Sequence, residues 1–260
     1  MGKKHLLDTV LVENRPLSRR YSMLILQLPD NLGNFEVLPG QFVEVQVADS
    51  PQTYLRRPIS ICDYDSVTRR MTLLIRRAGE GTEHLCNLAE GSVINIVGPL
   101  GNGFSVPGPG KEALLVGGGI GVAPLMYLGK CMAAAGARPV FLLAARTESE
   151  LLLLDEFRAI GDLRLATDDG TAGEQGYAAD HTALSRRYDL VCCCGPKPMM
   201  LGVARKAAAT GSPCEVSLEN LMACGLGACL CCVEPTLKGN LRACVDGPVF
   251  NTELLLWDLK

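Results

Sequence analysis

The chain has 260 residues, 48% of them hydrophobic, and 25 Lys and Arg against 28 Asp and Glu give a net charge of −3. That length accommodates two domains and a small module, each with a core of its own. No basic run suited to a phosphate backbone and no apolar stretch long enough for a bilayer is present, and the charged start from Met1 to His5 has no apolar segment behind it, so nucleic-acid binding, a membrane span and a signal peptide are not expected.

From Leu6 to about Val97, β-rich runs alternate with turn residues: Leu7 to Val12, Tyr21 to Leu28, Gln41 to Val47, Met71 to Arg77 and Ser92 to Val97. The breaks at Pro29-Asp30, Pro39-Gly40, Asp49-Ser50-Pro51 and Gly79 to Gly81 have the spacing of a small antiparallel barrel. Within it, Arg57-Pro58-Ile59-Ser60 offers a guanidinium fork for a pyrophosphate, an extended chain at the proline and a hydroxyl that could reach a flavin ring; an exposed strand end is the plain alternative. Gly79-Glu80-Gly81-Thr82 reads as a glycine turn with Thr82 capping a short helix, Glu83 to Leu88, either as an anion site or as a simple cap. Gly98 to Phe104 reads as a turn-rich linker packed on a cofactor or on the next domain.

After Lys111 the period changes. An apolar run from Glu112 to Val116 leads into Gly117-Gly118-Gly119-Ile120-Gly121-Val122-Ala123-Pro124 and then a helix from Leu125 to Ala135, the strand, glycine turn and helix of a dinucleotide-binding unit. Strands at Arg138 to Ala145, Leu163 to Thr167 and Tyr188 to Cys194, with a helix at Leu151 to Ile160, extend this to a doubly wound parallel sheet. Cys194 and Gly195 end the last strand, where a nicotinamide would lie, and a helix runs from there to about Ala209. Asp168-Asp169-Gly170 reads as a solvated loop.

Four cysteines then follow the plant-type [2Fe-2S] spacing: Cys224, four residues, Cys229, two residues, Cys232, eleven residues, Cys244. Thiolates are soft, strongly donating ligands for iron, and Gly225 and Gly227 allow a loop to wrap an inorganic core closely. Tetrahedral zinc, a disulfide pair and buried thiols are the alternatives, and Cys231 could replace Cys232 in a shifted register. Several of the twelve cysteines are adjacent, including Cys192, Cys193 and Cys194, which is poor geometry for a disulfide framework and points to a reduced cytoplasm.

Arg57 to Ser60, Gly81-Thr82, Gly117 to Pro124, Cys194-Gly195-Pro196, Ser217 to Cys229 and Cys244 to Phe250 together resemble the electron-transfer subunits of type B dihydroorotate dehydrogenases, within the ferredoxin-reductase superfamily. The resemblance implies three parts: an FAD-binding antiparallel β barrel over 1–105, an NAD-binding α/β domain with a doubly wound parallel sheet over 106–212, and a [2Fe-2S] module over 213–260. It implies FAD contacts from Arg57, Pro58, Ile59, Ser60, Leu74, Ile75, Arg76, Gly81 and Thr82, and cluster ligation by Cys224, Cys229, Cys232 and Cys244. NAD is expected at Gly117, Gly118, Gly119, Gly121, Cys194 and Gly195. Arg146 could pair with a 2′-phosphate, but Glu148 and Glu150 favour NAD over NADP. An FMN-containing catalytic subunit, in a heterotetramer with two copies of each chain, is the implied partner, and apolar residues near Leu254 to Trp257 could belong to that contact or pack on their own domain. A flavin and iron-sulfur subunit linked to ferredoxin or sulfur compounds, and a zinc-bearing module without redox activity, are the competing functions.

Overall fold

A computed structural model describes residues 4–33, 35–48, 50 and 52–259. The expected turn at Asp49 and Pro51, and Met1 to Lys3 of the charged start, lie outside the described residues.

Six strands close the first part into a barrel: β1 (His5–Pro16), β2 (Tyr21–Gln27), β3 (Phe42–Val45), β4 (Arg57–Asp65), β5 (Arg70–Arg76) and β6 (Val93–Leu100), in the order β1-β2-β5-β4-β3-β6. Alternation along β5 shows how the wall is built. Met71, Leu73 and Ile75 point inward and are at most 1% exposed, beside Leu11, Leu24, Leu26, Ile61 and Ile96. Leu74 and Arg76 therefore take the outer face, because successive side chains of a strand alternate. The sequence pattern missed β4, whose first residues are an arginine and a proline rather than an apolar run. Proline is tolerated there because Arg57 to Ser60 pair only with β3; pairing with β5 begins at Ile61.

The helix after the glycine turn, α1 (Glu80–Cys86), starts earlier than expected, with Gly79 at its N-cap. Thr82 is not the cap. It sits in the first turn, where its hydroxyl accepts from the N–H groups of Ala78 and Gly79, at 2.9 and 3.2 Å, and donates to the Gly79 carbonyl.

The second part is a seven-stranded sheet. Its members are β7 (Glu112–Gly118), β8 (Arg138–Ala145), β9 (Asp162–Thr167), β10 (Glu174–Gln175), β11 (Leu190–Cys194), β12 (Cys214–Ser217) and an outermost strand, Val249–Asn251. A hairpin of β13 (Val233–Thr236) and β14 (Gly239–Arg242) precedes that last strand, which is β15. The sheet order is β10-β9-β8-β7-β11-β12-β15; all pairings are parallel except β12 with β15. Helices α2 (Ala123–Ala134) and α3 (Leu154–Ile160) share one apolar core with the sheet, and α4 (Lys197–Thr210) shares the core on the opposite face. The 213–260 segment thus supplies two strands of this sheet. Phe42 and Leu100 of the barrel, Val216, Cys232, Ala243, Cys244 and Phe250 share one core, which ties the three parts together.

The linker expectation for 98–104 resolves into contacts with the last part: the Asn102 N–H donates to the Gly247 carbonyl at 2.6 Å, and its side-chain amide donates to the carbonyls of Val245 and Asp246. Near the C-terminus, Leu255 is in the core and Trp257 packs against it, while Leu256 is 60% exposed. That segment packs on the core shared by the three parts, and Arg205 of α4 donates to the Asp258 carbonyl. Among the described residues no helix is long and apolar enough to cross a membrane.

Candidate flavin and iron-sulfur site

Between barrel and sheet lies a cleft of about 220 Å³. Its barrel wall is Pro58, Ile59, Ser60, Leu74 and Arg76; Ile120, Ala123, Ser217, Glu219, Asn220 and Met222 face them. The open edge of β4 explains the barrel wall, because main-chain groups from Arg57 to Ser60 have no β5 partner on that side. Ile75 does not reach the cleft; its side chain fills the barrel, so only Leu74 and Arg76 of that segment line it. Gly81 lies under Arg57. A Cβ there would stand 2.8 Å from Arg57 Nε and 3.0 Å from the Thr53 methyl, so glycine is what lets the guanidinium rest on the turn.

The sheet order reverses at β7, with β8 and β9 on one side and β11 and β12 on the other. Ligands of such sheets bind in the crevice at the carboxyl ends of the strands beside that reversal. Gly121 and the Cys194-Gly195 peptide meet in this crevice: a Cβ on Gly121 would lie 2.5 Å from the Cys194 carbonyl carbon and 2.7 Å from the Gly195 nitrogen. Gly118 packs under Met199 and Pro196, and Gly195, at φ +154, packs against Gly118. Gly117 backs onto Val122 and Leu125, and Gly119 takes φ +56. Cys194 is buried; burial, then the charge of Glu219, push its thiol well above the usual range, and the Ser217 hydroxyl opposes them. Arg146 and Glu148 are exposed, whereas Glu150 is engaged by Arg20 of the barrel at 2.8 Å. Asp168 and Asp169 lie in an exposed turn, with Asp169 accepting from Thr171.

The cysteine loop turns through Gly225 at φ +65, Gly227 at +81 and Leu230 at +58, the last a strained value for a branched side chain. The four spaced cysteines form two neighbouring pairs. Cys224 and Cys229 are within hydrogen-bonding reach of each other, and so are Cys232 and Cys244, whose N–H also donates to Cys232 Sγ at 3.4 Å. Burial would raise the Cys224 thiol, but N–H groups of Cys229, Leu226 and Ala228 point at it and hold it at about 6. Cys244 goes the other way, to about 12, through burial and the neighbouring Cys232. Arg242 braces the loop, donating to the Asp246 carboxylate at 3.1 Å and to the Gly227 carbonyl. Two thiol pairs, with one thiolate already favoured by backbone donors, suit a two-iron cluster, which takes two cysteines at each iron. Among the described residues no three His, Cys, Asp or Glu side chains converge as a single-ion site. Cys231 is exposed, and it is Cys232 that faces Cys244.

Glu44 of β3 lies behind this loop. It is 1% exposed, neither carboxylate oxygen has a hydrogen-bond partner among the described residues, and Gly225 packs on its side chain. Burial raises its carboxyl to about 7 against the pull of Arg56; Cys224 adds to the rise and Arg57 opposes it.

Glu219, Asn220 and Met222 were not singled out from sequence as lining residues. They follow directly on β12, and recognising that strand would have placed them at a carboxyl end facing the barrel. Asn220 matters most, because it lines the cleft while its amide donates to the carbonyls of Cys232 and Val233, both at 3.4 Å, and to Glu234 at 3.1 Å.

Comparison with known proteins identifies an FAD-binding part and an iron-sulfur part in this chain. Residues 219–256 match the iron-sulfur cluster binding domain of dihydroorotate dehydrogenase B, and residues 8–104 match the oxidoreductase FAD-binding domain. Over 259 residues the chain is 38% identical to the dihydroorotate dehydrogenase B (NAD(+)) electron transfer subunit of Bacillus velezensis, covering 97% of this chain and 98% of that one. The corresponding subunit of Clostridium acetobutylicum is 42% identical over 227 residues, 87% and 89% of the two chains. Among solved structures, a chain of the NADH-dependent reduced ferredoxin-NADP oxidoreductase superposes with a TM-score of 0.85 at 31% identity, covering 99% of this chain and 92% of that one. The ferredoxin reductase of carbazole 1,9a-dioxygenase shares the fold, with a TM-score of 0.68 at 21% identity over 82% and 68% of the chains. The chain belongs to the family of electron transfer subunits of dihydroorotate dehydrogenase B.

Proposed function

We propose that this chain connects a separate FMN-containing catalytic subunit, where dihydroorotate is oxidised for pyrimidine (UMP) biosynthesis, to NAD+, holding a [2Fe-2S] cluster and FAD between them. The carrying observation is Asn220, which makes the floor of the cleft and the backbone behind Cys232 one hydrogen-bonded unit. When bound, FAD exchanges electrons singly or in pairs, and so joins the one-electron traffic of a cluster to the hydride chemistry of NAD.

In this reading Cys224 and Cys229 hold one iron, and Cys232 and Cys244 the other. Arg57 and Gly81 receive the FAD pyrophosphate, Pro58 to Ser60 offer main-chain groups and a hydroxyl to the ring, and Leu74 packs against it. Gly118, Gly121 and Gly195 leave room for NAD to approach the backbone, with Cys194 beneath the nicotinamide. Cys229 is exposed, and Leu221, Leu226 and Leu230 beside the loop are 84%, 49% and 62% exposed, an apolar rim suited to a docked partner. Two copies of each chain in the cytoplasm complete the proposal.

The test is co-expression with an FMN subunit, anaerobic purification, and assay with dihydroorotate and NAD+. Flavin and iron-sulfur absorption together with NADH formation that requires both chains is the expected result. A second reading, electron exchange between NAD(P)H and ferredoxin, draws on the 31% identity over 99% of the chain with the ferredoxin-NADP oxidoreductase. Both chromophores without dihydroorotate turnover would favour it, and a colourless zinc protein would refute both.

A further inference from the structure

Forming NADH balances as NAD+ + 2 e⁻ + H⁺. A cysteine-ligated cluster carries the electrons singly and brings no proton with them. The proton must therefore enter at the flavin cleft, from water there or from a side chain that can release one and regain it.

Among the described residues, two titratable side chains line the cleft, Arg76 and Glu219. An arginine does not give up its proton in a protein. Glu219 follows β12 and precedes Asn220, the residue tied to the cluster loop, so it stands in the wall shared by the cleft and the iron-sulfur segment. Ser60 and Ser217, whose hydroxyls can relay a proton, line the same cleft. The Glu219 side chain keeps solvent-accessible surface, and since the residue lines the cleft, water has a route back to it.

We propose that Glu219 delivers the proton that accompanies each pair of electrons to NAD+, a role that rests on reading this cleft as the FAD site. The carboxyl O–H bond breaks, its proton joins two electrons that have come from the cluster, and the three leave together in the new C4–H bond of the nicotinamide. Water then returns a proton to the carboxylate. The surroundings suit this cycle. Crowding by protein raises the Glu219 carboxyl above the ordinary carboxylate range and the Arg76 charge opposes that rise, so the side chain holds a proton more readily than a free glutamate does. The charged group acting on it is Arg76 of β5, and Glu219 in turn helps to raise the buried thiol of Cys194 on β11.

The test uses the full chain, purified anaerobically with FAD and cluster, and compares two ways of bleaching the flavin in a rapid-mixing experiment. Reduced methyl viologen supplies electrons without hydrogen, whereas NADH supplies a hydride that carries its own. In Glu219→Gln the ratio of viologen-driven to NADH-driven rate is expected to fall by about a hundredfold, the ordinary worth of a positioned proton donor. The wild-type viologen rate should carry a solvent deuterium isotope effect, and Glu219→Asp should restore much of the ratio with a shifted pH profile. An unchanged ratio in Glu219→Gln would overturn the proposal, as would equal slowing of both rates, which would mark a positioning residue. If Glu219→Gln does not retain FAD, the comparison passes to Glu219→Asp, and a pH profile identical to wild type overturns the proposal. A wild-type chain that holds no FAD would overturn the underlying site assignment instead.

Discussion

Glu44 and the Cys231-Cys232 pair show what single side chains contribute. A buried carboxyl without a partner is costly when charged. With its value at about 7 in the fold against 4.5 for an ordinary glutamate, the folded state holds the proton more tightly. Below the unfolded value both states are protonated and nothing is lost. As pH rises through and beyond it, stability falls, and the loss levels off above about 7 at roughly 3 kcal/mol or less. Glu44→Gln is expected to flatten this dependence, measured as the denaturant midpoint between roughly pH 5 and 8. At the cysteine pair the adjacent thiols separate sharply. Cys232→Ser should abolish the iron-sulfur absorption and Cys231→Ser should keep it, checked by iron and sulfide analysis of anaerobically prepared protein; the reverse pattern would mean the shifted register. The cysteine spacing was legible in sequence, but nothing in two consecutive identical residues tells which one turns inward. That is decided by the positive φ of Leu230 and the packing of Cys232 on Ala243 and Cys244.

At the scale of elements, apolar runs revealed five barrel strands and four strands of the parallel sheet, because those are the segments whose side chains fill cores. The strand that carries Arg57-Pro58-Ile59-Ser60 was invisible to the same criterion, since its first half faces a cleft and pairs on one side only. β12 and β15 were missed for a different reason. They are short, and their place in the sheet depends on partners distant in sequence, with Val216 opposite Phe250. The glycine motifs were legible as a type of turn, whereas the meeting of Gly121 with the Cys194-Gly195 peptide needed the sheet order. Gly121→Ala places a methyl group where that peptide lies. It should cost about 1–3 kcal/mol by overpacking and raise the KM for NAD+ while the flavin absorption remains. An unaltered KM would show that the nicotinamide does not depend on this crevice.

At the scale of the molecule, the barrel, the sheet and the cysteine loop share a core through Phe42, Leu100, Cys232, Cys244 and Phe250. A rigid connection of this kind fixes the separation between a cluster and a flavin, which electron transfer requires. The cleft and the thiol pairs are joined through Asn220 on one side, while the loop presents Cys229 and an apolar rim on the other. Electrons from dihydroorotate should therefore reach the flavin of this chain only by way of the cluster. The direct measurement is dihydroorotate-driven NADH formation by the co-purified complex, made with either the wild-type chain or Cys232→Ser. The wild-type complex should form NADH. The Cys232→Ser complex should form none, although its catalytic subunit still oxidises dihydroorotate with a dye as acceptor. NADH formation undiminished by loss of the cluster would contradict the proposed route.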